Sequence, residues 1–159
     1  MLTTPEVVRS AAHRFGTRDG LIDGDRRWSF VDIAHEVESC ARSFMALGLE
    51  HGDRVAVWAP NSAEWIFAAL GAQMAGGVLV PINTRFKATE AAYVINRSGA
   101  RFLFAHNGFL GVDYIGDLMR CDDDCPTLVH RVDIGATETG LDSPDAMSWG
   151  DFIAAGARV

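Results

Sequence analysis

Between Arg54 and Ala105 the chain alternates short apolar runs with helix-patterned segments, and this alternation limits its possible folds more than any other feature. Arg54-Val55-Ala56-Val57-Trp58-Ala59, Val78-Leu79-Val80-Pro81-Ile82 and the run from Arg101 to Ala105 read as strands. A strand with one wet face alternates apolar and polar side chains. Strands apolar throughout are covered on both faces. Between them, Pro60-Asn61-Ser62 breaks the first strand and caps a helix from about Ala63 to Met74, which Gly76-Gly77 closes. A second helix is expected from about Ala88 to Arg97, ended by Ser98-Gly99. The pattern predicts an α/β fold with a mostly parallel sheet flanked by helices.

The flanks follow the same logic. Thr4-Pro5-Glu6 opens a helix with Thr4 as cap, and Val7, Val8, Ala11, Ala12 and Phe15 give it one apolar face up to Gly16. Leu21-Ile22 and Trp28-Ser29 flank Asp23-Gly24-Asp25 as a tight hairpin. Ser29 caps a long helix with Asp32 in its first turn, apolar at Phe30, Ile33, Ala34, Val37, Ala41, Phe44 and Met45, and stopped at Gly48. Past Asn107 the expectations are a helix from Phe109 to Met119, a strand from Thr127 to Val132, and a loop from Gly135 to Asp145. Ser148 then caps a helix from Trp149 to Ala155. The 159 residues fit one domain spanning 1–159, a size that buries roughly 70% of its unfolded-chain surface.

A formal charge of −7 argues against broad attraction to a phosphate backbone, so nucleic acid is not an expected partner. The apolar stretches fall well short of the ~20 residues that span a bilayer. Met1-Leu2-Thr3-Thr4-Pro5-Glu6 shows neither a basic leader nor an apolar signal core, so a cytoplasmic location is expected. Three cysteines are a poor basis for a disulfide framework. Cys121 and Cys125 bracket Asp122-Asp123-Asp124, but without a second ligand pair this reads as a solvated acidic loop rather than a metal site. The five histidines show no paired spacing, and Ser62 lacks a nucleophile-elbow glycine, so a hydrolase is not expected. Asp32 and Glu36, four apart on one helix, read as a solvated face.

Three ordered blocks carry a family resemblance. They are Gly52-Asp53-Arg54-Val55-Ala56-Val57 with Asn61-Ser62-Ala63-Glu64-Trp65, then Ala75 through Phe86, then Glu90 through Arg101. In this order and spacing the chain resembles the amino-terminal region of acyl-CoA synthetases, within the adenylate-forming ligase superfamily. The match is firm over residues 5–105 and weaker over 106–159. Trp28-Ser29-Phe30-Val31-Asp32-Ile33 fits the same family's early helix start. The resemblance implies a partial amino-terminal subdomain of that fold and a parent acid–thiol ligase. Such a ligase turns a carboxylate, ATP and CoA into acyl-CoA, AMP and pyrophosphate, with Mg²⁺ as helper. One departure stands out: the family usually places Thr or Ser as the helix cap after the Arg, whereas Lys87 stands here and Thr89 comes two residues late. That helix is expected to start late or fray.

Both half-reactions need fixed positive charge where negative charge develops. The family supplies it from a Ser/Thr/Gly-rich loop ending in Lys and from a mobile carboxy-terminal domain. No Gly-rich run followed by Lys occurs here, and Lys87 is the one lysine in the chain. The expectation is a truncation, a split gene product or a stable fragment, without cofactor and inactive alone. The alternative is a non-catalytic α/β binding or scaffold module that pairs with another chain. Either way, the partner would be the remainder of a ligase or a second copy, met through an apolar packing surface. By the resemblance, Arg85 is the candidate contact for CoA phosphates, since a planar guanidinium can pair two phosphate oxygens. The competing reading is an exposed loop arginine, or one paired with Glu90. Asn83, in the same turn, is expected to hold the backbone through its side chain rather than touch a ligand.

Overall fold

The computed structural model describes residues 3–135 and 146–157. Helix α1 (Thr4–Phe15) leads into the antiparallel hairpin β1 (Asp19–Asp23) and β2 (Arg26–Ser29), then α2 (Phe30–Ala46). After these come β3 (Arg54–Trp58), α3 (Ala63–Met74), β4 (Val78–Pro81), α4 (Ala88–Ser98) and β5 (Phe102–Ala105). A 3₁₀ turn (Phe109–Gly111), α5 (Tyr114–Arg120), β6 (His130–Asp133), β7 (Met147–Ser148) and α6 (Trp149–Gly156) complete the described elements. Among the described residues, the main sheet has five strands, ordered β4-β3-β5-β6-β7, with every neighbouring pair parallel.

Strand residues alternate between two cores, which explains why whole runs are apolar. Val55, Val57, Phe102 and Phe104 point to the side covered by α2, α3 and α6, where they meet Val37, Phe44, Phe67 and Phe152. Ala56, Trp58, Leu103 and Ala105 point the other way, to Ala91 and Ile95 of α4 and Tyr114 and Ile115 of α5. Trp58 is fully buried, edge-on to Tyr114 with ring centroids 4.7 Å apart. Pro81 ends β4, which among the described residues is an edge strand paired with β3 alone, so its missing N–H breaks no ladder on the outer side.

The Gly-Asp-Arg block has a structural role at every position. Gly52 N–H donates to the Gly76 carbonyl at 2.8 Å, and Gly76, at φ 92, makes the left-handed turn that closes this join. Asp53 accepts from the Glu50 N–H at 2.9 Å and pairs with Arg101. The Arg54 guanidinium covers the carbonyl end of α4, donating to Ser98 O at 2.6 Å and Gly99 O at 2.9 Å.

Four expectations need correction. Thr3, not Thr4, is the first cap: the Glu6 carboxylate accepts from the Thr3 N–H at 2.6 Å and from its hydroxyl at 2.8 Å. Helix α4 starts at Ala88 despite its lysine cap, because Glu90 accepts the Lys87 N–H at 2.9 Å and supplies half of a capping box. The segment expected as a helix from Phe109 to Met119 divides at Leu110 (φ 54). Asp113 caps α5, accepting the Gly116 N–H at 3.0 Å. Strand β6 begins three residues later than expected, because Thr127 and Leu128 are held in a turn by bonds to Ala100 O and Cys125 O, both at 3.0 Å. Of the loop expected from Gly135 to Asp145, residues 136–145 lie outside the described residues. No helix among the described residues is long and apolar enough to cross a membrane.

Candidate functional site

A parallel sheet delivers the carboxyl ends of its strands to one rim. From β3 the chain runs outward to β4 and then returns to β5 on the other side of β3. At such a reversal the loops leaving the two strands diverge, and the crevice between them is where open α/β sheets bind ligands. Here that crevice holds about 250 Å³ and is lined by Arg26, Asn61, Ser62, Glu64, His106 and Phe109, among others. Small-molecule sites run to about 300–1,000 Å³, so this crevice lies just under the lower end of that range.

Its one arginine is already engaged from within, by two carboxylates. Arg26 donates to Glu64 Oε1 at 2.5 Å and to Asp23 Oδ2 at 2.7 Å, with its guanidinium 5.1 Å from the Trp28 ring centre. The Glu64 hydrogen bond is the main cause that holds the Arg26 proton more tightly than usual. Asp23 also accepts the Ala63 N–H at 3.0 Å, the chief cause of its lowered carboxyl pKa. One cation set against two carboxylates leaves no spare positive charge for a phosphate.

Beneath the rim, Asp133 ends β6 at only 2% exposure. Its Oδ1 accepts from Gly135 N–H at 2.8 Å and Asn107 N–H at 3.2 Å, while Oδ2 has no partner among the described residues. Asn107 is a bracket between elements, donating to Asp113 at 3.0 Å and accepting the Ile115 N–H at 3.0 Å. Burial pushes the Asp133 carboxyl above its ordinary value of 3.8, outweighing those two N–H bonds. A raised carboxyl stabilises the fold fully below its unfolded value and loses that contribution as pH rises through the folded value. Asp133→Asn removes the charge at every pH. The variant is therefore expected to gain on the wild type as pH climbs from about 4 toward neutrality, read as the difference in urea midpoints. A pH-independent difference would contradict the assignment.

Arg85 and Asn83 sit past the end of β4, in a turn held from below. Asn83 Oδ1 accepts the Arg85 N–H at 2.9 Å, so its side chain braces the backbone. Trp58 Nε1 donates to Asn83 O at 3.1 Å, and Tyr114 Oη to Thr84 O at 3.2 Å. The Arg85 side chain is exposed. Among the described residues no ion pair reaches its guanidinium, and Glu90, a possible partner, is engaged by the Lys87 N–H. Beside the turn lies an open, largely apolar groove of about 480 Å³ formed by Phe86, Thr89, Glu90, Tyr93 and Val94. Asp32 belongs to the cap of α2: its carboxylate accepts from the Ser29 N–H at 2.9 Å and from the Ser29 hydroxyl at 2.7 Å. Among the described residues no three His, Cys, Asp or Glu side chains converge as a metal site.

Sequence reasoning missed the Arg26–Glu64 pair, whose partners are 38 residues apart and leave no local signal. Asp133 was more accessible, as the residue directly after the expected strand from Thr127 to Val132. The expected strand stopped one residue short of it.

The fold and this rim define an α/β domain with a parallel sheet wound on both faces. The chain belongs to the AMP-binding enzyme family, whose model matches residues 8–151. It is 38% identical, over 96% of its length, to a 7a-methyl-1,5-dioxo-octahydro-inden-4-yl propanoyl:CoA ligase of Rhodococcus jostii, of which it spans 29%. It is 31% identical, over 79% of its length, to the mitochondrial medium-chain acyl-CoA ligase of Rattus norvegicus, spanning 20% of that protein. In structure it superposes on an anthranilate CoA ligase crystallised with anthranoyl-AMP, with a TM-score of 0.83 and 25% identity. That match covers 96% of this chain and 28% of the other. The chain thus spans less than a third of the length of these relatives.

Proposed function

We propose that these residues form the amino-terminal part of the large domain of an ATP-dependent acid–thiol ligase, and that by themselves they make no acyl-adenylate. The observation behind the reading is the 38% identity to a CoA ligase across nearly the whole chain, set against the 29% of that protein it spans. In the proposed reaction a carboxylate attacks the α-phosphate of ATP and releases pyrophosphate; the CoA thiol then displaces AMP. Each step concentrates negative charge that positioned cations must meet. In this chain the crevice cation, Arg26, is already paired twice, and Lys87 is the one lysine. ATP, Mg²⁺ and CoA accordingly belong to the longer ligase in this reading.

Arg85 has the chemistry for the CoA phosphates, being exposed on a braced turn and bound in no ion pair among the described residues. The acid substrate is a carboxylate with a substantial apolar body, in keeping with the bicyclic and medium-chain acyl groups of the relatives' names. The alternative, a module that docks on another chain, draws on apolar side chains left open on α4 and β4. Tyr93 is 69% and Val78 48% exposed. Such exposed apolar side chains would meet the remainder of a ligase or a second copy.

ATP–pyrophosphate exchange over a panel of carboxylates tests the reading: the 159-residue chain is expected to stay at background, and turnover by it alone would overturn the proposal. In a ligase-length protein carrying this segment, Arg85→Ala is expected to raise the KM for CoA while leaving exchange, which needs no CoA, unchanged. Equal losses in both would remove Arg85 from CoA recognition.

A further inference from the structure

The acidic loop after α5 brings two thiols to one acceptor. Cys121, at the end of α5, donates to Leu118 O at 3.0 Å and reaches Asp123 O at 3.6 Å. Cys125 reaches the same Asp123 oxygen at 3.9 Å. The two sulfurs therefore flank a single carbonyl as neighbours, and both line a solvent-open cavity of about 270 Å³ that Leu118 and Arg131 also line. Both side chains are half-buried, whereas Cys40 is fully buried between helices. The loop is tethered at both ends of the turn, by Asn96 Nδ2 to Asp124 O at 2.8 Å and Leu128 N–H to Cys125 O at 3.0 Å.

We propose that Cys121 and Cys125 are a redox-modifiable pair that closes a reversible disulfide by exchange with a low-molecular-weight disulfide. Three cysteines do not make a structural framework, but a transient bond between two of them is a different matter. Closing so short a loop costs little chain entropy, and the second thiol faces the first at an effective concentration of about millimolar or more. Cys121 attacks as the thiolate, one sulfur–sulfur bond of the reagent breaks, and one thiolate departs. Cys125 then loses its proton to the solvent and attacks the Cys121 sulfur of the mixed disulfide, expelling the second thiolate. Two protein thiols are oxidised and one reagent disulfide is reduced to two thiols. The order follows from charge: burial first, and then the Cys121 charge and the Asp123 and Asp124 carboxylates, push the Cys125 thiol up. Capping Cys121 as a mixed disulfide removes one of those repulsions.

The test is intact mass and native-state alkylation of the chain equilibrated with oxidised glutathione. The wild type is expected to lose two hydrogens in mass, to carry no persistent glutathione, and to lose alkylation of Cys121 and Cys125 together, restored by a thiol reductant. Cys121→Ser and Cys125→Ser are each expected to accumulate a lasting glutathione adduct on the remaining partner. A wild type that stays fully alkylatable, ends with two separate adducts, or cross-links two chains overturns the proposal. Because neither substitution alters the wild-type mass result, a variant that fails to fold does not rescue it.

Discussion

Phe44→Ala is expected to lower stability by about 3–5 kcal/mol, the usual cost of emptying a large buried aromatic site. Phe44 is fully buried on α2. Its ring stands 5.4 Å from Phe102 and 5.3 Å from Phe104 on β5, and 5.0 Å from Phe152 on α6. It thus joins three elements that are far apart in sequence. A domain of this kind is stable by about 5–15 kcal/mol, so the loss takes a large share of the total. The last helix should feel it most. Helix α6 is tied to α2 by this cluster and by the Ser43 hydroxyl, which donates to Ile153 O at 3.3 Å. A urea titration measures the change, with Phe44→Leu expected to lose much less because it keeps most of the volume. A shift of under about 1 kcal/mol for the alanine variant would mean the cluster is not the joint described here.

The second large effect is expected at Gly71, on α3 where it crosses α2. A Cβ built there would fall well inside 3.0 Å of Cys40 Cβ and lie 3.2 Å from both Ala41 N and Val37 O. Alanine in a helix interior gains about 1 kcal/mol over glycine. Overpacking costs typically about 1–3 kcal/mol, and part of the obstruction here is backbone, which cannot swing aside. The clash outweighs the propensity, so Gly71→Ala is a net loss. Gly71→Leu reaches the upper end of that range, and for a chain of this length each kcal/mol moves Tm by roughly 2–4 °C. Thermal unfolding reads the effect. Combining Cys40→Gly with Gly71→Ala should recover part of it, because the facing Cβ is then gone. Strict additivity of the two substitutions would show that the helices do not meet at this point.

Some of this was open to a reader of the sequence, and the reason is locality. Helix α2 announces itself because Ser29, Asp32 and the apolar repeat that follows lie within a few turns of one another. Strands β3 and β5 do so because both their faces are covered, leaving nothing polar to dilute the run. Lys87 misled because the missing hydroxyl was visible, while the compensating Glu90 carboxylate works on the backbone N–H. The segment after Asn107 misled because its helix is set by side chains at a distance. Asp113 caps α5, but Asn107 bridges from the end of β5 to take the Ile115 N–H. Strand β7 is two residues long and exists by pairing with β6, so no local pattern predicted it.

What the Gly-Asp-Arg block holds together became clear only in three dimensions. Gly52, Asp53, Arg54 and Gly76 join the strand entries of β3 and β4 to the ends of α3 and α4, which makes them structural. The charge state of the rim was likewise invisible. Arg26, Asp23 and Glu64 come from the hairpin and from α3, and only their meeting engages the crevice cation, leaving one carboxylate charge in excess.

By itself, then, the sequence determined the succession of strands and helices, the parallel sheet with two covered faces, and membership of a ligase family. Those follow from periodicity, caps and ordered motifs, which act over a few residues at a time. Tertiary structure alone decided the order β4-β3-β5-β6-β7, the place and charge of the crevice, and the meeting of Phe44 with Phe102, Phe104 and Phe152. Each depends on contacts between residues tens of positions apart, whose energy appears only once the chain has closed on itself.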